Sequence, residues 1–298
     1  MKIAVASGKG GTGKTSVAVN LVTLIASYHL PAPTIFLDCD AEAPNAALFL
    51  HPEMLEREPV EIFIPTIDQS LCNHCGQCVE ICHYHALIMT PQQLHFLPEL
   101  CHACGGCAPA CPQNAISEKP IRLGEISSGN VASIHFMQGE MDIGKSSPVA
   151  IINRMTDKLE LLQHDSPIDP ICIIDAPPGV SCPVVASLRK TDFVILVTEP
   201  TPFGLHDLQM AVELVRDNLA IPLAVILNKD SAGNMGVEDY CQNNSIPIIQ
   251  RIPFSREIAE IYARGDVLIQ QDQHIRMDFE KTWSFIHSHC AQKEGNKE

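Results

Sequence analysis

Basic residues are scarce in this sequence, which has 20 Lys and Arg against 35 Asp and Glu and a formal charge of −15 over 298 residues. This balance disfavours nucleic acid or an anionic membrane as the main partner, because both are polyanions. A long apolar run is also missing from residues 1–7, before the first glycine. A signal peptide or membrane anchor needs a longer one. We therefore expect a cytoplasmic protein with no nucleic-acid partner and no stable membrane association.

Lys and Arg are absent altogether from residues 60–118, a segment that carries five acids. It also holds eight of the thirteen cysteines, in two runs of identical spacing, C-x2-C-x2-C-x3-C. The runs are Cys72, Cys75, Cys78 and Cys82, followed by Cys101, Cys104, Cys107 and Cys111. Without an export signal, this spacing indicates metal chemistry in a reducing compartment rather than a disulfide framework.

The chain on either side of the cysteines alternates short apolar runs with helical patterns, which predicts an α/β fold with a doubly wound, mostly parallel sheet. Predicted strands are 3–6, 35–38, 171–175, 193–198, 223–227 and 248–252, with a possible extra hairpin of 121–127 and 134–141. Predicted helices are 14–27, 149–163, 205–218, 256–264 and 275–289. We expect one domain of residues 1–59 and 119–290, an inserted domain of residues 60–118, and a frayed polar tail, 291–298.

A phosphate site is predicted directly after the first strand, where residues 8–15 fit the P-loop pattern G-x-x-x-x-G-K-[ST]. Backbone N–H groups of such a loop and the positive end of the next helix bind phosphate, while Lys14 can reach the β/γ-phosphates and Thr15 can bind Mg²⁺. A plain glycine-rich turn is the weaker alternative, because the motif lies between a strand and a helix. The expected nucleotide-binding residues here are Gly8, Gly10, Gly11, Thr12, Gly13, Lys14, Thr15 and Ser16.

The second lysine of the loop, Lys9, makes the motif resemble the deviant Walker A of the MinD/ParA family of P-loop ATPases. Two later segments resemble that family in the same order: Asp38-Cys39-Asp40 with Asn45 is similar to switch I, and residues 174–179 are similar to Walker B and switch II. The resemblance implies an ATP-dependent homodimer, or a heterodimer with a paralogue. In such a dimer Lys9 would reach the nucleotide of the partner.

The same resemblance implies roles for the acidic residues. Asp175 would hold Mg²⁺ through water, Asp38 would belong to the metal shell with Thr15, and Asp40 would position the attacking water. A capping or turn role is the alternative for each acid. Lys9, Lys14 and Asp40 are thus the expected catalytic residues.

Asn228-Lys229-Asp230 follows another apolar strand and resembles the base-reading N-K-x-D segment of related nucleotide enzymes. The resemblance implies that Asn228 contacts adenine and that the segment around Pro253 closes over the base, with a solvated turn as the alternative. Only this resemblance favours ATP over GTP. Residues 198–204, T-E-P-T-P-F-G, also resemble this branch of the family, although a proline-rich loop leading into a helix accounts for them equally well.

The cysteine runs resemble two-cluster bacterial ferredoxins, in which the fourth cysteine of each run ligates the cluster of the other run. The resemblance implies one [4Fe–4S] cluster on Cys72, Cys75, Cys78 and Cys111 and a second on Cys101, Cys104, Cys107 and Cys82. Zinc is the alternative, but zinc sites use separated ligand pairs. The sequence departs from the ferredoxin pattern at His83, where proline is usual.

A complete phosphate site and two cluster sites in one chain predict an ATPase switch that uses ATP/ADP and Mg²⁺. Its coupled clusters would serve electron transfer to a partner protein, or metal-cofactor assembly on it. The alternative is a cluster or metal carrier with ATP-controlled release; a cell-division or partition ATPase ranks lower, because the C-terminus has no basic amphipathic pattern. No C-x-x-C lies outside the insert, so we expect the clusters to belong to each subunit. The acidic insert suggests docking on a basic surface.

Overall fold

The computed structural model of the protein describes residues 1–230 and 236–294. Its strands are β1 (Lys2–Ser7), β2 (Thr34–Asp38), β3 (Glu53–Ile67), β4 (Leu87–Met89), β5 (Leu94–Phe96), β6 (Ile116–Val131), β7 (Ile134–Met141), β8 (Ile171–Pro178), β9 (Phe193–Thr198), β10 (Leu223–Asp230) and β11 (Ile248–Pro253). Its α-helices are α1 (Lys14–Ser27), α2 (Ala47–Leu50), α3 (Gln77–Glu80), α4 (Val149–Asp165), α5 (Cys182–Leu188), α6 (Pro202–Val212), α7 (Val237–Asn243), α8 (Arg256–Ala263), α9 (Leu268–Gln271) and α10 (Gln273–Glu294).

Within the described residues, nine strands form one sheet in the order β11-β10-β9-β1-β8-β2-β7-β6-β3. The strands from β11 to β7 are parallel, and β6 and β3 are added antiparallel at one end. Side chains alternate between two cores: Ile3 and Val5 of β1 pack on the face covered by α1 and α10, while Ala4 and Ala6 pack on the face covered by α4 and α6. The prediction of a mostly parallel sheet with helices on both faces is confirmed.

The predicted elements agree with the structure to within a few residues. All six predicted strands are present, and the hairpin is confirmed as β6 and β7, with a longer first strand than predicted. The helix predicted at 205–218 is α6 followed by a π-helical stretch, Glu213–Asn218. The prediction of a frayed tail is wrong for residues 291–294. These residues continue α10, because Ala, Gln, Lys and Glu all favour helix. Residues 295–298 lie outside the described residues.

Strand β3 was not predicted. It pairs with β6 from Glu53↔Asn130 to Ile67↔Ile116, so the two strands form a long antiparallel ribbon. Pro59 and Pro65 obscure this strand in the sequence, because proline cannot donate to a strand ladder. Both are tolerated here since β3 is the edge strand of the sheet.

The ribbon carries the cysteine segment. At its far end the Asp68 amide donates to the Ala115 carbonyl at 2.8 Å, and the segment between them packs around a small core of its own that includes Cys78, Leu87 and Leu94. The predicted domain limits, residues 60 and 118, lie inside β3 and β6. The division into two domains stays a prediction.

Replacing residues 66–117 by Asn-Gly tests that division. The two residues would join Pro65 to Glu118, which face each other in the ribbon, and Asn-Gly favours the tight turn of a two-residue hairpin. We expect cooperative unfolding and an ADP affinity within about twofold of the intact chain, because the removed segment has its own core. Thermal denaturation and titration calorimetry measure both. A chain that aggregates or binds no ADP would show that the sheet depends on the insert.

Candidate nucleotide site and cysteine cavities

The predicted phosphate-site residues meet where the parallel strands end. The loop between β1 and α1 lies beside Asp175 of β8 and Asp38 of β2, which are paired residues in the sheet. Together with the end of β10 and the start of α8, the loop encloses a cavity of about 300 Å³. Its lining includes Gly10, Gly11, Thr12, Gly13, Lys14, Thr15, Ser16, Asp40, Asn45, Asn228 and Pro253, all from the segments singled out in the sequence.

Two glycines explain the shape of the loop. Gly13 has φ +91° at the start of α1, a conformation that favours glycine, and a Cβ there would lie 2.1 Å from Nδ2 of Asn228. Gly8 passes so close to α6 that a Cβ would lie 2.2 Å from the Asp207 carbonyl oxygen. The loop therefore needs glycine at both positions, and helix α1 begins at Lys14 with its N-terminal end toward the cavity.

Lys14 lies among carboxylates. Its Nζ donates to Asp175 Oδ1 at 2.9 Å and is 3.8 Å from Asp40 Oδ2. Burial lowers the pKa of Lys14, but the negative charges of Asp175, Asp40 and Asp38 outweigh it, so that the net pKa is raised. The lysine stays charged, as phosphate binding requires.

Asp38 is fully buried, and its carboxylate accepts backbone N–H groups from the loop that follows it. Oδ1 accepts from Asp40 at 3.2 Å, and Oδ2 accepts from Asn45 and Ala46 at 3.0 Å each. Burial and the nearby charge of Asp175 raise the pKa of Asp38 to about 7 despite these bonds. The side chain thus fixes the predicted switch I loop, and its place in a metal shell stays a prediction.

Asp40 lies at the cavity with its side chain 19% exposed. Burial raises its pKa, and the charge of Lys14 opposes that shift. This position is compatible with the predicted role of orienting water, because the carboxylate is partly open to solvent and close to the phosphate lysine.

The residues present fit a magnesium ion. Asp175 Oδ2 is buried and has no hydrogen-bond partner in the described structure, while Oδ1 holds Lys14. The buried Thr12 Oγ1 is also without a hydrogen-bond partner there. Unpaired buried oxygens are costly, and carboxylate and hydroxyl oxygens are the kind of donor that Mg²⁺ prefers.

The far end of the cavity is apolar and was only partly predicted. Asn228 and Pro253 line it as expected, together with Phe254, Ile258 and Tyr262, which sequence reasoning missed. Asn228 donates from Nδ2 to the Thr12 carbonyl at 2.7 Å, so it braces the phosphate loop. Its contact with adenine stays a prediction. Phe254 directly follows Pro253 in the sequence, and this adjacency is the feature from which its place in the cavity could have been predicted.

The eight cysteines of the insert line two separate cavities. Cys72, Cys75, Cys78 and Cys111 line one, and Cys82, Cys101, Cys104 and Cys107 line the other. The fourth cysteine of each run therefore lies with the first three of the other run. Burial raises the pKa of Cys78, Cys101 and Cys107, and neighbouring cysteines contribute in the same direction.

Among the described residues, no three His, Cys, Asp or Glu side chains converge closely enough to hold a single metal ion. Four thiols in one set are the donor type that iron–sulfur clusters use. Three cysteines outside the insert, Cys39, Cys172 and Cys241, are buried. Of the insert histidines, His74, His83, His85 and His102 are exposed, and His95 is half-buried.

In the described part of the chain, no helix has both the length and the apolar character needed to span a bilayer.

Asp175→Asn tests the metal assignment. Wild-type chain should bind ADP at least about tenfold more tightly with Mg²⁺ than with EDTA, and the variant should lose most of this difference, because an outer-sphere ligand is worth roughly 10-fold to 100-fold in metal affinity. Titration calorimetry in both buffers measures the ratio. Asp142→Asn is the matched control, since Asp142 pairs with Arg122 outside the cavity. An unchanged ratio in Asp175→Asn would remove Asp175 from the metal shell.

Comparison with known proteins agrees with this geometry. Residues 3–269 match the family model "CobQ/CobB/MinD/ParA nucleotide binding domain". Two uncharacterized proteins of Methanocaldococcus jannaschii are 30% and 29% identical, over 91% and 96% of this chain and 92% and 98% of their own length. An iron-sulfur cluster carrier protein of Pyrococcus horikoshii is 25% identical, over 87% of this chain and 76% of its own.

Solved structures show the same fold. The septum site-determining protein MinD of Pyrococcus horikoshii, complexed with Mg-ADP, has a TM-score of 0.57 at 17% identity, covering 94% of this chain and 93% of that one. MinD in the MinC:MinD cell division complex of Aquifex aeolicus has a TM-score of 0.56 at 15% identity, covering 96% of each chain. The family match extends over most of the sequence, and the chain belongs to the CobQ/CobB/MinD/ParA family of P-loop nucleotide-binding proteins.

Proposed function

We propose that the protein is an ATP-binding and ATP-hydrolysing switch coupled to two [4Fe–4S] clusters held by its insert. It acts in electron transfer to a partner protein, or in metal or iron–sulfur cofactor assembly on that partner. The observation that carries the proposal is the grouping of eight thiols into two sets of four in a chain that also has a complete phosphate loop.

The cavities suit iron–sulfur clusters better than zinc. Each offers three closely spaced cysteines of one run and a fourth from the other run, as in two-cluster ferredoxins, whereas zinc sites use separated ligand pairs. Apolar side chains surround the first cavity, among them Met89, Leu94 and Ile116. When bound, such clusters supply one-electron chemistry, and burial among apolar groups is one of the factors that sets their potential. Cys72, Cys75, Cys78 and Cys111 would hold one cluster, and Cys101, Cys104, Cys107 and Cys82 the other.

On the nucleotide side, Lys14 and the loop amides bind the β- and γ-phosphates. Thr15, Asp38 and, through water, Asp175 would hold Mg²⁺, which would neutralise phosphate charge. Asp40 orients the attacking water, because its carboxylate is beside Lys14 and partly open to solvent. Lys9 acts across an ATP-dependent dimer, formed by two copies or with a paralogue. Asn228 and Pro253, which both line the cavity, contact adenine.

The second candidate is a cluster or metal carrier whose cargo is released under ATP control. The sequence similarity to the iron-sulfur cluster carrier proteins of Pyrococcus favours it. The cysteines of this chain favour resident clusters, since all eight lie inside one segment and each of the two cavities is lined by four of them. Mixing loaded protein with an apo-ferredoxin decides between the two: cluster transfer supports the carrier, and clusters that stay through ATP turnover support the switch.

A positioning ATPase of the cell-division or partition kind is a weaker candidate, because the MinD structures are only 17% and 15% identical and their similarity to this chain extends to the fold alone.

The acidic insert, with no Lys or Arg in residues 60–118, points to a protein partner with a basic docking surface. Binding of that kind weakens as salt increases.

Iron and sulfide analysis after anaerobic purification tests the proposed clusters. We expect about eight irons and eight sulfides per chain, as two cubane clusters contain. Because the ligand sets cross, Cys111→Ser should lose the same component of the EPR spectrum of the reduced protein as Cys75→Ser, and Cys82→Ser the same component as Cys104→Ser.

Cys182→Ser is the matched control, since Cys182 is exposed and lies outside both cavities. It should keep the full iron content. Iron near zero in wild-type protein would contradict the proposal, and paired losses within each run would contradict the crossed ligand sets.

A further inference from the structure

The carboxylate of Glu199 lies between two lysine side chains beside the phosphate loop. Its Oε1 accepts a hydrogen bond from Lys229 Nζ at 2.7 Å, and its Oε2 is 3.7 Å from Lys9 Nζ. The Glu199 side chain is 16% exposed and that of Lys9 is 32% exposed. The Lys9–Glu199 pair is thus partly shielded from solvent, where charge interactions are less screened than on an open surface, while the Lys229 side chain is 46% exposed.

Lys229 connects Glu199 to the loop a second time. The same Nζ donates to the Gly11 carbonyl at 2.9 Å, and the neighbouring Asn228 donates to the Thr12 carbonyl. Lys229 has φ +54°, a conformation that a non-glycine residue adopts rarely. The end of β10 therefore fixes two consecutive carbonyls of the phosphate loop, and Glu199 neutralises the lysine that makes one of these contacts.

The turn at the end of β9 gives Glu199 a fixed backbone. The Thr198 hydroxyl donates to the Gly204 carbonyl at 2.9 Å, and the Thr201 amide donates to the Glu199 carbonyl at 2.8 Å. A Cβ at Gly204 would lie 2.2 Å from the Glu199 carbonyl oxygen, so only glycine allows this approach. The T-E-P-T-P-F-G segment is a rigid turn that presents one carboxylate to the loop.

We propose that Glu199 is a positioning residue for the ATPase reaction: it holds Lys9 inside its own subunit when ATP is absent and releases it when two ATP-bound chains associate. The proposal rests on the proposed ATP-dependent dimer. In the proposed dimer, the Lys9 ammonium group exchanges the Glu199 carboxylate for the nucleotide of the second chain. Lys229 stays as a partner when Lys9 leaves, so Glu199 is never a partly buried carboxylate without a counter-charge.

The first test uses nucleotide-free protein and does not depend on the dimer. Lysines are labelled with sulfosuccinimidyl acetate, and the labelling rate of the peptide that contains Lys9 is followed by mass spectrometry. Glu199→Gln should label Lys9 about twofold to fivefold faster, the range expected for losing a partly exposed ion pair. Glu160→Gln, which removes a remote carboxylate paired with Lys190, is the matched control and should leave Lys9 unchanged. An unchanged rate in Glu199→Gln would overturn the proposal.

The second test follows association with ATP and Mg²⁺ by sedimentation velocity over a range of protein concentrations. Glu199→Gln should lower the dimer dissociation constant about twofold to fivefold, because Lys9 no longer has to leave a carboxylate.

Lys229→Met should instead raise the KM for ATP, since it removes the contact between Lys229 and Gly11 and leaves the contact between Lys9 and Glu199.

A dimer constant that is unchanged or raised in Glu199→Gln would overturn the proposed release step. If the wild-type chain stays monomeric with ATP, the proposed dimer fails and the release step fails with it. The labelling rates then decide separately whether Glu199 holds Lys9.

Discussion

The ion pair between Lys14 and Asp175 is the interaction around which the nucleotide site is built. Two carboxylates, Asp175 and Asp38, are buried side by side at the ends of paired parallel strands, where their charges repel. Lys14 compensates both, through a 2.9 Å bond to Asp175 and through its charge. In the part of the chain that the structure describes, the second oxygen of Asp175 has no hydrogen-bond partner, which makes the site suited to a divalent cation. The loop, α1 and the switch segment are all arranged around this buried charge.

The parts of the molecule that follow local rules could be predicted from the sequence. The parallel strands are apolar throughout, and the phosphate loop has a fixed pattern of glycines and lysines. The edge strand β3 was missed because Pro59 and Pro65 argue against a strand, and only its place at the sheet edge makes them acceptable. The brace from Asn228 to the loop could not be predicted either, because it joins segments far apart in the chain.

A short connection joins the nucleotide site to the cysteines. Asp38 holds the N–H groups of Asn45 and Ala46, and α2 and β3 follow within a few residues. The Ala41 carbonyl accepts a hydrogen bond from the Met141 amide at 2.8 Å, and Met141 is paired with Gly124 of the ribbon strand β6. The switch loop is therefore hydrogen-bonded to β7, which pairs with β6, and the chain continues from the loop through α2 into β3. These contacts link the loop to the ribbon that carries the insert.

The proposed coupling of nucleotide and clusters is most directly tested by the midpoint potentials of the proposed clusters, measured by EPR-monitored redox titration with and without ATP and Mg²⁺. A coupling free energy of the usual size predicts a shift of at least about 40 mV in one cluster, since a tenfold change in affinity equals about 59 mV for one electron. Lys14→Ala, which cannot hold the phosphates, should show no shift. Equal potentials in both conditions, in fully loaded wild-type protein that binds ATP, would contradict the account.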